Sequence, residues 1–505
     1  MKKTKLILNS LLVLSVCVGC SSANGVAMAS PGHEYSYILN NGDNNQYLNF
    51  TEHDFIETKT KNTSSFSLDS STSSYSDIRR KITQHKNISQ NEVMIEHMLN
   101  YFKYSYEAPK DEPLSLYTEV NECPWNNKHK LASIAVRARD YVKPVTNVPN
   151  NYVFLIDVSG SMYDYLYTVQ ESFKMLLENL DENDTVSIVT YASGVNIVLE
   201  GATGDQKSKI VAAIEDLEAS GSTNGSGGIQ LAYQVAQKYF VKDGNNRIIL
   251  GTDGDFNVGI SSINSLEKFI SEKRKTGIYL SALGFGYTST RHDVLETLAS
   301  NGNGNSYYIN TILDARKALI DEVGGLLETV AKDTKTQVTF NTNEVKSYRL
   351  LGYETKLLSD IEFDNDETDA GEIGAGHTTV AMYELEMNEN YTGQDIFNVE
   401  LRYKDPKEND LNKKSFNQAY IDINEATEDF MFQAAVVEFA LILRDSKYKY
   451  DSSIEHVLNT LSSLNCVSND DYKSDFKKLV SIYSDYSASL KRWFIWKKWC
   501  YFLYY

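Results

Sequence analysis

The stretch Asn151–Met162, NYVFLIDVSGSM, decides the fold prediction for this chain. Its apolar run 153–156 predicts a strand that is buried on both faces of a parallel sheet. Asp157, Ser159 and Ser161 follow on a tight turn, and a helical pattern of apolar residues comes next. The three oxygen side chains therefore lie where a strand ends and a helix begins, which is the edge at which open α/β sheets bind ligands. One carboxylate and two hydroxyls suit a hard divalent cation.

Two later stretches belong with the first. The sequence GSTNG at 221–225 precedes a second helical pattern and presents Thr223 on the loop before it. The sequence RIILGTDG at 247–254 has the pattern of another buried strand and ends in the carboxylate of Asp253. Each piece alone has a plainer interpretation, since Asp and Ser often cap helices and polar residues fill turns. All three pieces in this order favour a metal site.

The ordered set DxSxS, Thr and TDG resembles the metal-ion-dependent adhesion site of von Willebrand factor A domains. The resemblance implies that Ser159, Ser161 and Thr223 offer hydroxyl oxygens to Mg²⁺, with Mn²⁺ or Ca²⁺ as alternatives. It also implies that Asp157 and Asp253 mostly hold the waters of the ion. A carboxylate from a partner protein would then complete the coordination.

Strand and helix patterns alternate strictly between residues 146 and 330, and this alternation predicts a doubly wound, mainly parallel sheet. A short antiparallel edge strand is expected at 195–199, as is usual in von Willebrand A domains. The flanking words FSLDSSTSSYSDIRR, IEHMLNYFKYSY and PWNNKHKL resemble a bacterial von Willebrand A lipoprotein family, the YfbK-like proteins. The resemblance covers roughly residues 60 to 489. The expected fold class is α/β: a von Willebrand A domain flanked by a β-rich module and a C-terminal helical domain.

The N-terminal stretch has the character of an export signal. Three lysines precede an apolar segment, 6–18, that is too short for a comfortable membrane span. Gly19-Cys20 after this segment resembles a bacterial lipobox, which implies lipidation at Cys20 and a lipid anchor in the cell membrane or envelope. Cleavage after Ala29 is the alternative, because Ala27-Met28-Ala29 fits the small-x-small rule.

The expected organisation has seven segments. They are a signal peptide 1–19, a flexible tether 20–60, an N-terminal family segment 61–145, a von Willebrand A domain 146–330, a β-sandwich-like module 331–425, a C-terminal helical domain 426–489 and an atypical tail 490–505. Within the N-terminal segment, apolar alternation at 132–138 predicts a half-buried strand. The tail is aromatic and basic, which suits a membrane interface. A departure from the family ending, such as a shifted reading frame, would look the same and is the favoured interpretation.

Composition excludes several functional classes. The 505 residues carry a formal net charge of −19, which would repel the phosphates of a nucleic acid. After Cys20, only Cys123, Cys466 and Cys500 remain, and they lie far apart with no disulfide or zinc spacing. The sequence has no P-loop, no HExxH and no GxSxG, so enzyme signatures are missing.

The expected function is therefore a surface-anchored, Mg²⁺-dependent protein-binding module rather than an enzyme. Its partner would be a protein that presents Asp or Glu. Two alternatives stay open at this point. One is a metal-assisted hydrolase that uses Asp157 and Asp253, and the other is a structural envelope protein with a vestigial metal site.

Overall fold

The structure is a computed structural model, and it describes residues 50–68, 70–141, 148–254, 263–286, 292–321, 324, 328–406, 411–418 and 426–503. All of these residues belong to one unit that spans 37–505, whereas a second unit, 1–36, lies outside them. The expected signal peptide and the lipidation of Cys20 therefore fall outside the described residues.

The central sheet has six strands in the order β10-β9-β8-β5-β6-β7. Strands β5, β6, β8, β9 and β10 run parallel, and β7 is antiparallel to β6 at one edge. Their bounds are β5 Asn151–Asp157, β6 Thr185–Tyr191, β7 Val195–Thr203, β8 Asn246–Thr252, β9 Ile278–Phe285 and β10 Ser306–Ile309. The predicted doubly wound sheet is confirmed, and the edge strand extends four residues beyond the expected end at Leu199.

Helices cover both faces of this sheet. They are α3 Leu166–Leu176, α4 Lys207–Glu215, α5 Gly225–Lys238, α6 Ile263–Arg274, α7 His292–Asn301 and α8 Ile312–Arg316. Every residue of β5 is buried, with Phe154 and Ile156 in one apolar cluster and Val153 and Leu155 in the other. The prediction of a strand that is buried on both faces is therefore confirmed, because each face of β5 packs against its own layer of helices.

Two further sheets combine strands from before and after the central domain. The first has the order β1-β12-β15-β4-β3 and the second the order β13-β2-β11-β16-β17, with β14 paired to β11. The strands that precede the central domain are β1 Ile56–Glu57, β2 Thr63–Ser67, β3 Leu114–Glu122 and β4 His129–Ala138. Those that follow it are β11 Thr329–Phe340, β12 Val345–Leu351, β13 Leu357–Leu358, β14 Gly371–Gly374, β15 Thr378–Met387, β16 Phe397–Lys404 and β17 Leu411–Gln418.

The two flanking sheets share an apolar core that contains Phe66, Ile134, Val338 and Tyr383. Helices pack on the outer face of the first sheet, and these are α1 Ser73–Thr83, α2 Ile95–Asn100, α10 Glu428–Leu443, α11 Ile454–Ser463, α12 Asn465–Ser468 and α13 Asp471–Leu503. A short helix, α9 Asp360–Asp364, lies between β13 and β14. The β-rich module and the C-terminal helices of the predicted fold class are thus confirmed.

Strand β4 corrects one expectation. The sequence at 132–138 predicts a half-buried strand, but eight of its ten residues, 129–138, are buried. Ala132 and Ile134 face the core between the sheets, while Leu131 and Ala135 pack against the helices. The alternation along β4 therefore reflects two different buried environments, the core between the sheets and the layer of helices, and not one buried and one solvent-exposed face.

No helix among the described residues is long and apolar enough to cross a membrane. The helix α13 includes residues 490–503 of the expected atypical tail.

Candidate metal site

Three loops meet at the carboxyl edge of the central sheet. The neighbouring parallel strands β5 and β8 end at Asp157 and Thr252, and Asp253 comes directly after β8. The third loop leads into α5, and the side chain of Asn224, the residue just before this helix, caps it by accepting a hydrogen bond from the backbone N–H of Gly227. Parallel strands that lie side by side bring their ends to the same place, so residues almost a hundred positions apart become neighbours.

Backbone hydrogen bonds fix the loops to one another. Gly160 N donates to Gly221 O at 3.0 Å, and Ser220 N donates to Val158 O at 2.8 Å. Gly221 has φ +81°, and a Cβ at this position would lie 2.4 Å from Ser193 Oγ. A residue with a side chain would therefore displace the loop that carries Thr223.

The side chains continue these links. Asp157 Oδ1 accepts a hydrogen bond from Ser159 N at 2.9 Å, and its Oδ2 accepts one from Thr252 Oγ1 at 3.0 Å. Ser159 Oγ and Ser161 Oγ lie 3.1 Å apart. The hydrogen bond between Thr252 and Asp157 thus joins the stretch 247–254 to the stretch 151–162.

Most of the candidate site is buried, and one of its residues is exposed to solvent. Asp157, Ser159, Thr223 and Asp253 are buried, whereas Ser161 is exposed. Burial, and to a smaller extent the nearby carboxylate of Asp253, raise the pKa of Asp157 to about 6, against the hydrogen bonds from Ser159 and Thr252 that lower it. Two buried carboxylates that repel each other form a place where a cation would be stabilised.

These residues fit a small divalent cation. Hydroxyl and carboxylate oxygens are the ligands that Mg²⁺ prefers, and two neighbouring ligands of an octahedral ion lie about 3 Å apart. The distance of 3.1 Å between the two serine hydroxyls agrees with that spacing. In the described part of the chain, no group of three or more His, Cys, Asp or Glu side chains could hold a metal ion. The candidate site does not depend on such a group, because hydroxyls supply most of its oxygens.

Thr252 has a role in the site that its place in the TDG stretch did not predict. Thr252 stands between the apolar run of β8 and Asp253, and its hydroxyl also accepts a hydrogen bond from Gly254 N at 3.0 Å. A hydroxyl residue at the last position of a buried strand is a signal of a polar contact at the sheet edge. The acidic neighbour Asp255 lies outside the described residues.

The parallel sheet and the three loops at its carboxyl edge define a von Willebrand factor type A domain. A family model with that description matches residues 151–321, and one described as "von Willebrand factor" matches residues 41–133. A third, described as "Uncharacterized protein YfbK, C-terminal", matches residues 325–485.

The chain belongs to the YfbK family. It is 35% identical over 469 residues to the protein YfbK of Escherichia coli (strain K12), covering 86% of this chain and 80% of that protein. The match extends well beyond the von Willebrand A domain, so the flanking modules are part of what the two proteins share.

Solved structures give weaker likenesses. A von Willebrand factor type A protein from Catenulispora acidiphila is 16% identical with a TM-score of 0.39, over 71% of this chain and 89% of that one. Proximal thread matrix protein 1 from the mussel byssus, whose structure has a zinc occupied MIDAS motif, is 18% identical with a TM-score of 0.30. That likeness covers 37% of this chain and 48% of the mussel protein. At this level of similarity neither structure adds to the family assignment.

Proposed function

We propose that this chain is a protein-binding module that takes a partner carboxylate through a divalent cation, Mg²⁺ in the first place and Mn²⁺ or Ca²⁺ as alternatives. The observation that carries the proposal is that the loop before Thr223 is hydrogen-bonded to the turn that carries Ser159 and Ser161, beside the two buried carboxylates of Asp157 and Asp253. Membership of a family with a von Willebrand A domain supports it.

The residues would divide the work by their chemistry. Ser159, Ser161 and Thr223 would hold the ion directly, and their neutral hydroxyls would leave its charge largely uncompensated. Asp157 and Asp253 would act through water, with Asp157 oriented by Ser159 N and Thr252 Oγ1. When bound, the cation supplies an electrophilic position that attracts a carboxylate. Ser161 is the exposed member of the set, so a partner would approach from its side.

The test combines metal binding with partner binding. We expect Asp157→Ala and Ser159→Ala to abolish both the Mg²⁺-induced rise in melting temperature and the Mg²⁺-dependent capture of an envelope partner. Thr223→Ala should weaken both, and EDTA should reproduce the loss with the wild type. The matched control is Ser462→Ala, which removes an exposed serine hydroxyl on α11. Undiminished binding by folded Asp157→Ala in EDTA would contradict the proposal.

We also propose that the chain is exported and held at the membrane by a lipid on Cys20, in front of the expected tether and domain series. Mass spectrometry of the mature N-terminus tests this, and acylated Cys20 is the expected result. A free N-terminus at Ser30 would show instead that cleavage follows Ala29. A single acyl chain anchors weakly, so retention requires the two or three chains of a lipoprotein.

A further inference from the structure

Two exposed tyrosines stand beside the candidate metal site. Tyr163 and Tyr167 are 77% and 68% exposed, the highest values among the aromatic side chains whose exposure the structure describes. They follow Ser161, the exposed hydroxyl of the site, by two and six positions. Exposing a large aromatic ring to water is unfavourable in free energy, and binding a partner over the ring removes this cost. Protein interfaces are accordingly enriched in tyrosine.

Both tyrosines lie on the segment that connects the site to α3. Hydrogen bonds run from Tyr163 N to Gly160 O and from Tyr165 N to Met162 O, so tight turns of the chain lead from the site into this helix. Tyr163 lies in these turns, and Tyr167 lies in the first turn of α3. Asp164 lies between the two tyrosines in sequence and is exposed as well. We call Tyr163, Asp164 and Tyr167 the tyrosine rim.

The charged residues in the described loops beside the rim have one sign. The described loops at this edge of the sheet are 158–165, 192–194 and 217–224, and they contain Asp164 and Glu218 but no lysine or arginine. A partner that brings only a carboxylate would meet these two acidic groups without a compensating charge. A cation on the partner would be attracted by Asp164, and it would also be favoured over the faces of the tyrosine rings.

We propose that the tyrosine rim selects partner segments in which a basic residue, arginine above all, lies close to the carboxylate that binds the metal. This inference rests on the proposed function, because the rim acts beside the metal site. The carboxylate would provide metal dependence, while the guanidinium would stack on Tyr163 or Tyr167 and pair with Asp164. Arginine suits this position better than lysine because its planar group stacks on rings and is less strongly hydrated.

The experiment uses immobilised nine-residue peptides with a central Asp and a neighbouring Arg, norleucine or Glu. Binding of the full chain is measured in Mg²⁺ and in EDTA for the wild type, Asp164→Asn and the double variant Tyr163→Ser/Tyr167→Ser. Tyr391→Ser is the control, since this tyrosine is partly exposed on the flanking β module. The Mg²⁺-induced rise in melting temperature is recorded for every variant, and we expect it to be unchanged.

The expected order of Mg²⁺-dependent binding by the wild type is Arg, then norleucine, then Glu. The double variant should bind the Arg peptide roughly tenfold more weakly, because it removes both rings on which the guanidinium can stack. Asp164→Asn should lose mainly the discrimination against Glu, and the control should match the wild type. If the double variant bound the Arg peptide as well as the wild type, or if the wild type showed no preference for Arg, the proposed role of the tyrosine rim would be wrong. The proposal of a metal site would be unaffected. No Mg²⁺-dependent binding to any peptide would overturn it too, and loss of the Mg²⁺ thermal shift in the wild type would overturn the proposed function.

Discussion

At the scale of single residues, Asp157 shows how the fold prepares its site. Its carboxylate is buried beside Asp253, and only hydrogen bonds from Ser159 and Thr252 oppose the resulting cost. The DxSxS, Thr and TDG pieces could be found from the sequence, because each lies at the end of a buried-strand pattern or at the start of a helical one. The exposure of Tyr163 and Tyr167 could not, since an apolar residue in a helical pattern is normally assigned to the core.

The substitution Asp157→Asn should stabilise the metal-free protein while removing its response to Mg²⁺. The amide keeps the shape and can still accept from Ser159 N, but it removes the cost of burying a charged carboxylate and ends the repulsion by Asp253. The gain in the free energy of unfolding should be on the order of 1 kcal/mol at neutral pH. Because the wild-type pKa is raised from 3.8 to about 6, the gain should be full above pH 6 and fade as the pH falls towards 3.8. Urea unfolding of metal-free protein at several pH values measures it, and a loss of stability at pH 8 would show that the carboxylates do not repel.

At the scale of elements, the strand pairings of the flanking sheets were beyond sequence analysis. The alternation in β11 indicates a strand, yet nothing in it specifies that Val338 pairs with Ser64, more than 270 positions away. Period-2 alternation reports that a face is buried and carries no information about the partner strand. The central sheet was predictable because parallel strands joined by helices follow handedness and adjacency rules that need no such information.

The contact between α1 and α8 provides an element-scale prediction. Arg79 of α1 donates to Asp314 Oδ1 of α8 at 2.6 Å and to the Tyr101 hydroxyl at 3.0 Å, and both side chains of the ion pair are buried. Arg79→Met should cost about 3–5 kcal/mol in the free energy of unfolding, because a buried carboxylate loses its cation. Lys238→Met is the matched control, since its exposed pair with Glu200 is screened by water and should contribute little to the free energy of unfolding. Urea unfolding compares the two variants, and equal costs would mean that the Arg79 pair contributes no more than a surface pair.

At the scale of the whole molecule, the von Willebrand A domain is an insertion into the flanking module. The chain leaves that module after β4 and returns at β11, and the two points lie side by side. Arg139 and Glu328 form an ion pair at 2.5 Å, and the turn at 374–376 bonds to both segments through Gly376 N to Arg139 O and Ala375 N to Glu328 O. Adjacent entry and exit points are the arrangement in which domain insertions are tolerated. The binding edge can therefore change without altering the strands that pair across the insertion.

Replacing residues 142–327 by a short Gly-Ser linker should leave a folded flanking module. The linker needs to span only the distance between neighbouring segments, and the pairings of β2 with β11 and of β4 with β15 do not involve the removed residues. The module would lose its contacts with α8, including the Arg79–Asp314 pair, so its free energy of unfolding should fall without loss of cooperativity. Far-UV circular dichroism and urea unfolding of the shortened chain provide the measurement.

The comparison chain keeps the von Willebrand A domain but lacks residues 50–141, and it should lose the flanking module because β11 and β15 are left without β2 and β4. The opposite result would contradict this interpretation. If the linker variant unfolded and the comparison chain still formed β-sheet from β11 to β17, the flanking module would need the central domain in order to fold.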